Sequence, residues 1–396
     1  MSATEEAVIL SAARTPIGKF LGALSPLSAV ELGALAFRAA LERSGVNASE
    51  IDEAILGNVV SAGLGMAPAR NAALKAGLPD TLPCFTVNKV CGSGLKAVML
   101  AAQAIKAGDA KAVLAGGAES MSNAPHLIRG VRSGIAYGNA KLEDSLLTDG
   151  LECCVEHWHM GNAAEHIAAR FGITRAEMDR YAFESHKKAS AAQESGAFAA
   201  EIVPVSVPQK KGAALSVERD EGPRADASID KLATLKPAFS KDGFVTAGNA
   251  STLNDGAAAV VVASADFARG RGLKPLAKIR SYAASGVAPK EIFHAPALAI
   301  PAALRKAELE LKDIGLIELN EAFAAQVLAN KKVLNLDETK LNVNGGAIAL
   351  GHPLGASGAR CLVTLIHAMK ARGVRFGVAA LCLGGGNAVA MVVENV

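Results

Sequence analysis

Val87-Asn88-Lys89-Val90-Cys91-Gly92-Ser93-Gly94-Leu95-Lys96 reads as the end of a strand, a tight turn and the start of a helix. An apolar run closes on a cysteine, two glycines and a serine follow, and an alanine-rich pattern continues to Lys106-Ala107-Gly108. A thiol at such a turn faces the unpaired N–H groups and the positive dipole end of the helix, which favour thiolate over thiol. Gly92 and Gly94 leave room for a substrate to approach the backbone. A cysteine in apolar surroundings is more often a small buried hydrophobe, so the weight of this stretch depends on the rest of the chain.

Its surroundings occur twice. Ser93-Gly94, Ala104 and Lys106 match Ser357-Gly358, Ala368 and Lys370 at an offset of 264 residues. Ala39-Ala40-Leu41 and Ile51 match Ala302-Ala303-Leu304 and Ile314 at 263, each followed by a strand (Ala54-Ile55-Leu56, then Ile317-Glu318-Leu319). The apolar strands Ala112–Ala115 and Val378–Leu381 also correspond. A one-residue shift over such a span points to an internal duplication. Ala7–Ala12 reads as the first strand, Ala29–Arg43 as a helix and Glu53–Val59 as a second strand. This alternation predicts an α/β fold, each half a mostly parallel sheet covered on both faces.

The halves differ where chemistry is expected. Between the Val-Asn that ends a strand and the Ser-Gly that opens a helix, the first copy has four residues. The second has twelve, Gly345 to Ala356, and they include Gly351-His352-Pro353. Between the halves, residues 122–250 have a different character: a His157-Trp158-His159 cluster, helical stretches at Asn162–Phe171 and Ala176–Gln193, and a charged segment Gln209–Pro223 with Gly and Pro. That block reads either as a cover for a site or as a surface excursion.

Composition narrows the function. The chain is 51% hydrophobic and 4% aromatic with 39 glycines, so its core is built from Ala, Val, Leu and Ile in close-packed elements. A net charge of +3 with no basic run argues against a dedicated nucleic-acid binder. No uncharged apolar run is long enough to span a membrane. The six cysteines (84, 91, 153, 154, 361, 382) lack paired C-x-x-C spacing, as expected of free thiols in a reducing compartment. The acidic Met1–Glu6 resembles neither a secretory signal nor a transit peptide, and Glu394-Asn395-Val396 is no peroxisomal tripeptide; the expected location is the cytoplasm.

Four polar groups sit on turns after apolar strands: Cys91, Asn320, His352 and Cys382. In open α/β sheets the strand C-terminal ends border the ligand crevice, which brings these groups together. Asn320 alone reads as an N-cap with Glu321 opening a helix. Cys382 before Gly384-Gly385-Gly386 reads as a bend around a buried thiol, and no Gly-Lys-Ser/Thr follows to make a phosphate loop. Two cysteines and a histidine scattered over three strand ends lack zinc spacing, so no metal is expected.

The set Asn88-Lys89-Val90-Cys91-Gly92-Ser93-Gly94, Gly248-Asn249-Ala250-Ser251, Asn320-Glu321-Ala322-Phe323, Gly346–Gly358 with its Gly-His-Pro, and Cys382-Leu383-Gly384-Gly385-Gly386 resembles the thiolase family over essentially the whole chain. Within the family it is most similar to the acetyl-CoA acetyltransferase branch. The resemblance implies a thiolase-like fold: two duplicated mixed-sheet α/β halves packed together, with an inserted loop domain. It implies an N-terminal domain of residues 1–121 plus 251–274, a loop domain 122–250 that binds coenzyme A and mediates tetramerisation, and a C-terminal domain 275–396.

It also implies roles. Cys91 attacks an acyl-CoA thioester, with His352 taking its proton. Cys382 then removes a proton from the methyl of a second acetyl-CoA, and the carbanion attacks the acyl group. His352 and a water held by Asn320 serve the enolate; the N–H groups of Cys91 and Gly384 serve the acyl oxyanion. Ser251 and Ala247 line the pantetheine slot, with Leu151, His159, Met160, Phe239, Ala322 and Phe323 nearby, and Arg224 lies close to the adenosine phosphates. Coenzyme A is substrate and product, so no separate cofactor is implied. The partners are acetyl-CoA, acetoacetyl-CoA, CoA and further copies of the chain, a tetramer before a dimer.

One stretch departs from the short-chain biosynthetic pattern, which usually reads Met-Gly-x-Gly-Pro near the acyl pocket. Here it is Ile292-Phe293-His294-Ala295-Pro296. The rival readings are a degradative 3-ketoacyl-CoA thiolase of broader chain length and a non-catalytic acyl-CoA or lipid binder on the same scaffold. A decarboxylating ketoacyl synthase would need a second His or Asn in place of Cys382.

Overall fold

A computed structural model describes residues 5–396; Met1–Thr4 of the acidic start lie outside the described residues. The first half runs β1 (Ala7–Arg14), α1 (Ala29–Ser44), β2 (Glu53–Gly57), α2 (Pro68–Ala76), β3 (Cys84–Val87), α3 (Ser93–Ala107) and β4 (Ala112–Ser120). The inserted block holds α4 (Met160–Arg170) and α5 (Arg175–Glu194), after which β5 (Asn254–Ser264) completes the first half. The second half runs β6 (Ala277–Gly286), α6 (Pro296–Lys306), β7 (Leu316–Leu319), α7 (Ala324–Leu334), α8 (Leu354–Arg372), β8 (Phe376–Leu383) and β9 (Asn387–Asn395). Local chemistry sets the ends. Ser28 caps α1 in a reciprocal box with Glu31, and Gly45, in the left-handed region, stops it.

The central sheet has the order β7-β8-β9-β6-β1-β5-β4-β2-β3. Read outward from its middle, the two halves repeat: β1-β5-β4-β2-β3 on one side, β6-β9-β8-β7 on the other. The segment at Leu341 continues the second set through a parallel bridge to Ile317. Pairing repeats as well. β1/β5 and β5/β4 are antiparallel while β4/β2 is parallel; β6/β9 and β9/β8 are antiparallel while β7/β8 is parallel. The sheet is therefore mixed, as the family resemblance implies, and the mostly parallel sheet read from strand–helix alternation alone is corrected. The last strand of each half returns beside the first instead of extending the parallel run. The half-sheets join where Val8 and Ile9 meet Lys278 and Ala277.

Both faces are buried, and the period-2 pattern shows how. Ala258, Val260 and Val262 of β5 face a core shared with α3 and α8, whereas Ala257, Ala259, Val261 and Ala263 face the core beneath α1 and α2. In the second half, Val389, Met391 and Val393 join the shared core; Ala388, Ala390 and Val392 pack under α6. Helices α3 and α8 thus form a central layer between the two half-sheets. They cross at the duplicated Ser-Gly pair: a Cβ at Gly94 would lie 2.8 Å from the Ala359 nitrogen, and one at Gly358 would collide with the Leu95 backbone. Glycine permits that approach.

The insertion covers one end of this frame. Tyr181 and Ser185 of α5 donate to Glu321 beside β7, and α4 packs in one apolar cluster with Phe323, Ile348 and Cys382. A small hairpin (His126–Ile128 with Leu142–Asp144) projects from it, leaving Ile128, Val131, Ile135 and Tyr137 exposed and Leu127 half-buried.

Candidate active site

The nucleophile candidate sits on a strained elbow. Val90 takes φ 48°, a conformation that β-branched residues avoid, and Cys91 follows it. Ser93 holds the elbow: its hydroxyl donates to the Val90 carbonyl (2.6 Å) and accepts from the Lys89 N–H (2.8 Å). A Cβ at Gly92 would collide with Leu383, the neighbour of Cys382. The elbow of one half is thereby packed onto the strand end of the other.

His352 is held from three sides. Gly351, at φ 112°, presses against Asn254 with no room for a Cβ, and Asn254 Oδ1 accepts the His352 backbone N–H at 2.9 Å. On the ring, Nδ1 lies 2.6 Å from Ser357 Oγ, whose hydroxyl also reaches the Pro353 carbonyl at 2.8 Å. A carbonyl can only accept, so the Ser357 proton goes to Pro353 and Nδ1–H donates to Ser357. That leaves Nε2 as an acceptor, and it is buried with no protein partner. Burial, with Arg360 adding to it, pushes His352 down to about 3, so the ring is neutral. A neutral ring with a bare Nε2 is what a proton acceptor requires. Ser357 is a functional residue the motif reading missed. Its signal is its place as the repeat partner of Ser93, and the two serines brace the Cys91 elbow and the His352 ring respectively.

Asn320 is fully buried behind the histidine, its Nδ2 3.5 Å from His352 Nδ1. It does not line the cavity described below. Nor is it a helix cap: α7 begins at Ala324 after Phe323, and Glu321 is a buried acceptor for Tyr181, Ser185, Asn342 and the Ile348 N–H. Cys382 lies within β8, immediately before its last residue, in the apolar cluster with Phe293, Phe323 and Ile348. Gly385 and Gly386, both at positive φ, turn the chain back into β9.

The thiols differ from the sequence expectation. Burial pushes Cys91 up to about 12, against the pull of the backbone N–H groups of Gly384 and Cys91 itself; Glu119 adds to the push. Desolvation outweighs the helix end. Cys382 is raised well above the ordinary thiol range by burial and then by Cys91. A thiolate at Cys91 would oppose ionisation of Cys382.

Cys91, His352, Cys382 and Gly384 meet at one cavity of about 550 Å³. Leu151, His159, Met160, Arg224, Phe239, Ala247, Ser251, Ala322 and Phe323 line it too. His159 stacks on Phe239 with ring centroids 4.8 Å apart, and Phe239 meets Phe323 edge-on. The Gly248–Ser251 motif runs beside Ala322 and Phe323: the Ser251 N–H donates to the Ala322 carbonyl at 3.0 Å. Asn249, fully buried, fixes that motif through Asp179 (2.9 Å) and the Thr246 N–H. Ile292 and Phe293, from the departing stretch, also line the cavity, as do Lys19 and Phe20. His157 and Trp158 do not; Trp158 packs against His166. Among the described residues no group of three or more His, Cys, Asp or Glu is placed to hold a metal, and no helix is long and apolar enough to cross a membrane.

Comparison with known proteins gives matches along the whole chain. The family described as thiolase, N-terminal domain, matches residues 7–266, and thiolase, C-terminal domain, matches 273–395. A protein of Cupriavidus necator named acetyl-CoA acetyltransferase is 55% identical over 98% of this chain and 99% of its own length. One of the same name from Escherichia coli is 54% identical over 98% of each. The crystal structure of the Bacillus anthracis acetyl-CoA acetyltransferase superimposes with a TM-score of 0.98, at 44% identity and complete coverage of both chains.

Proposed function

From the chain's membership of the thiolase family, we propose that it is an acetyl-CoA acetyltransferase, joining two acetyl-CoA into acetoacetyl-CoA and CoA through an acetyl-Cys91 intermediate. The observation that carries this reading is the convergence of Cys91, His352 and Cys382 on one cavity, with Asn320 behind the histidine.

In the first half-reaction His352 Nε2 takes the Cys91 proton and the sulfur attacks the thioester carbonyl. The C–S bond to CoA breaks, and the proton passes to the departing CoA sulfur. Once Cys91 is a thioester it cannot ionise, so it places no charge beside Cys382 while that thiol acts. Cys382, as the thiolate, then takes a proton from the methyl of a second acetyl-CoA, the carbanion attacks the acetyl carbonyl, the C–S bond to Cys91 breaks as acetoacetyl-CoA forms, and the expelled sulfur recovers the proton held by Cys382. The oxyanion of acyl transfer meets the N–H groups of Cys91 and Gly384, and the enolate meets His352, assisted from Asn320 through a water. For that second duty Nε2 must carry the proton. Ser357 accommodates it by turning its hydroxyl from the Pro353 carbonyl towards Nδ1. Losing one such donor costs about 3–4 kcal/mol of transition-state stabilisation.

Coenzyme A would lie along Ser251, Ala247 and the His159–Phe239 stack, with Arg224 near its phosphates. Residues 1–121 with 251–274, 122–250 and 275–396 would be the N-terminal, loop and C-terminal domains, in the cytoplasm. Incubation with acetyl-CoA followed by intact mass measurement should show one acetyl adduct, mapped to Cys91. Cys91→Ser should lose it while still binding CoA, because the change removes the thiolate with little change in volume. An adduct on the Ser variant, or none on the wild type, would remove Cys91 as nucleophile.

The chain would assemble as a tetramer through the projecting hairpin, whose exposed Ile128, Val131, Ile135 and Tyr137 have no partner within the chain's cores. Light scattering at micromolar concentration should give four times the chain mass, falling when Val131 and Ile135 are changed to Asp. A monomer in the wild type would refute it.

A further inference from the structure

Glu119 is a buried charge that the proposed chemistry leaves idle. It is the penultimate residue of β4 and has no exposed surface. All four donors on its carboxylate are uncharged. Oε1 accepts from Asn58 Nδ2 (2.8 Å) and the Val60 N–H (3.2 Å); Oε2 accepts from the Val59 N–H (3.0 Å) and the Gly355 N–H (2.8 Å). Burying an unpaired carboxylate is costly, and four donors with no cation is an unusual way to compensate it.

The donors come from two places that matter. Val59 and Val60 pack in one small cluster with Val90 and Cys91, and the Val59 carbonyl accepts from Asn88 Nδ2. This is the loop beneath the nucleophile elbow. Gly355 lies in the first turn of α8, three residues after His352, where the dipole of a 19-residue helix favours a negative charge. The fit is close: a Cβ at Gly355 would stand 2.8 Å from both the Asn58 Cα and Glu119 Oε2.

We infer that Glu119 is a positioning residue: one carboxylate anchors both the loop under Cys91 and the helix behind His352, and so sets how nucleophile and base face each other across the two halves. Its charge also bears on the thiol, adding to the push that holds Cys91 protonated. Burial raises Glu119 itself to about 7, opposed by the same four donors, so above neutral pH the charge is in place.

The inference rests on the reading of Cys91 as nucleophile, and the test separates the two. Glu119→Gln keeps the shape but turns an NH₂ towards groups that need an acceptor, and it removes the charge. The expected result is kcat lower on the order of 100-fold, as for a small misplacement of reacting groups, with KM little changed. The pH midpoint for alkylation of Cys91 by iodoacetamide, read on the Cys91 peptide, should move down. The titratable groups around that thiol are Glu119, His352 and Cys382, and only the first is altered. Glu119→Asp keeps the charge but cannot reach all four donors, so kcat should fall by less and the midpoint should stay at the wild-type value. It also carries the test if the Gln variant does not fold, wild-type kcat in the Asp variant then refuting the inference. A Gln variant with unchanged kcat, or one whose loss follows its folded fraction while the midpoint stays put, overturns it. Absence of an acetyl adduct on wild-type Cys91 would instead refute the underlying function.

Discussion

Cys382→Ser is expected to leave acetyl transfer from acetyl-CoA onto Cys91 measurable while abolishing exchange of the acetyl methyl protons with deuterium from solvent. Condensation should fall with the exchange, on the order of 100- to 10,000-fold, the usual contribution of a positioned base. The reason lies in the division of the cavity. Under the proposed mechanism Cys91 and His352 would suffice for the first half-reaction, whereas Cys382 belongs to the cluster of Phe293, Phe323 and Ile348. A serine there has the size of the thiol but is a far poorer base at the same burial. Wild type should transfer, exchange and condense; the variant should only transfer. Near-normal methyl exchange in the variant would assign the base elsewhere, with His352 the first candidate.

Arg14→Met is expected to lower the free energy of unfolding by about 3–5 kcal/mol, measured by denaturant titration. Arg14, at the end of β1, has no exposed surface and bonds Asp220 with both terminal nitrogens (2.7 and 2.9 Å) and Glu201 through Nε (2.7 Å). Removing the guanidinium leaves two buried carboxylates unpaired, which is worse than never having buried the group. The damage should reach the cavity mouth. Asp220 also accepts the Ile17 N–H, and its neighbour Glu221 accepts the Lys19 N–H, beside the cavity-lining Gly222 and Arg224. KM for acetyl-CoA should therefore rise in whatever fraction remains folded. An unfolding free energy within about 0.5 kcal/mol of wild type, the ordinary scatter of surface changes, would mean the carboxylates find other partners.

Much of this was legible in the residues, and the limits have physical causes. The duplication could be read because helix starts and glycine contacts constrain sequence locally, as Ser93-Gly94 and Ser357-Gly358 demonstrate. The turn chemistry of Cys91, His352 and Cys382 was legible for the same reason. Strand direction was not: whether β5 runs with or against β4 is decided by a partner more than a hundred residues away, which no local pattern encodes. The protonation state of Cys91 was misread because a helix end is visible in sequence while the depth of burial that outweighs it is not. Only the reading of Asn320 taken alone, as a cap, fails: the chain stays irregular through Glu321, whose four partners come from α5, residue 342 and the segment before His352. Ser357 went unread because a serine in a Gly-rich stretch does not announce which ring it bonds, and Glu119 because one of its donors, Gly355, comes from the other half of the chain.

The crossing of α3 and α8 at Gly94 and Gly358 has a consequence for how such a site could arise. In a symmetric pair of identical half-length chains, those two positions would be one residue facing its own copy across a two-fold axis. Any change in the turn ahead of it would appear on both sides at once, so the two turns could differ neither in length nor in the residues they carry. Joining the copies in a single chain breaks that constraint. The crossing could stay glycine on both sides while the preceding turns diverged, one keeping four residues and a thiol, the other lengthening to twelve around an imidazole. Two turns of different length and chemistry on one symmetric scaffold are what fusion makes available and self-association of identical chains forbids.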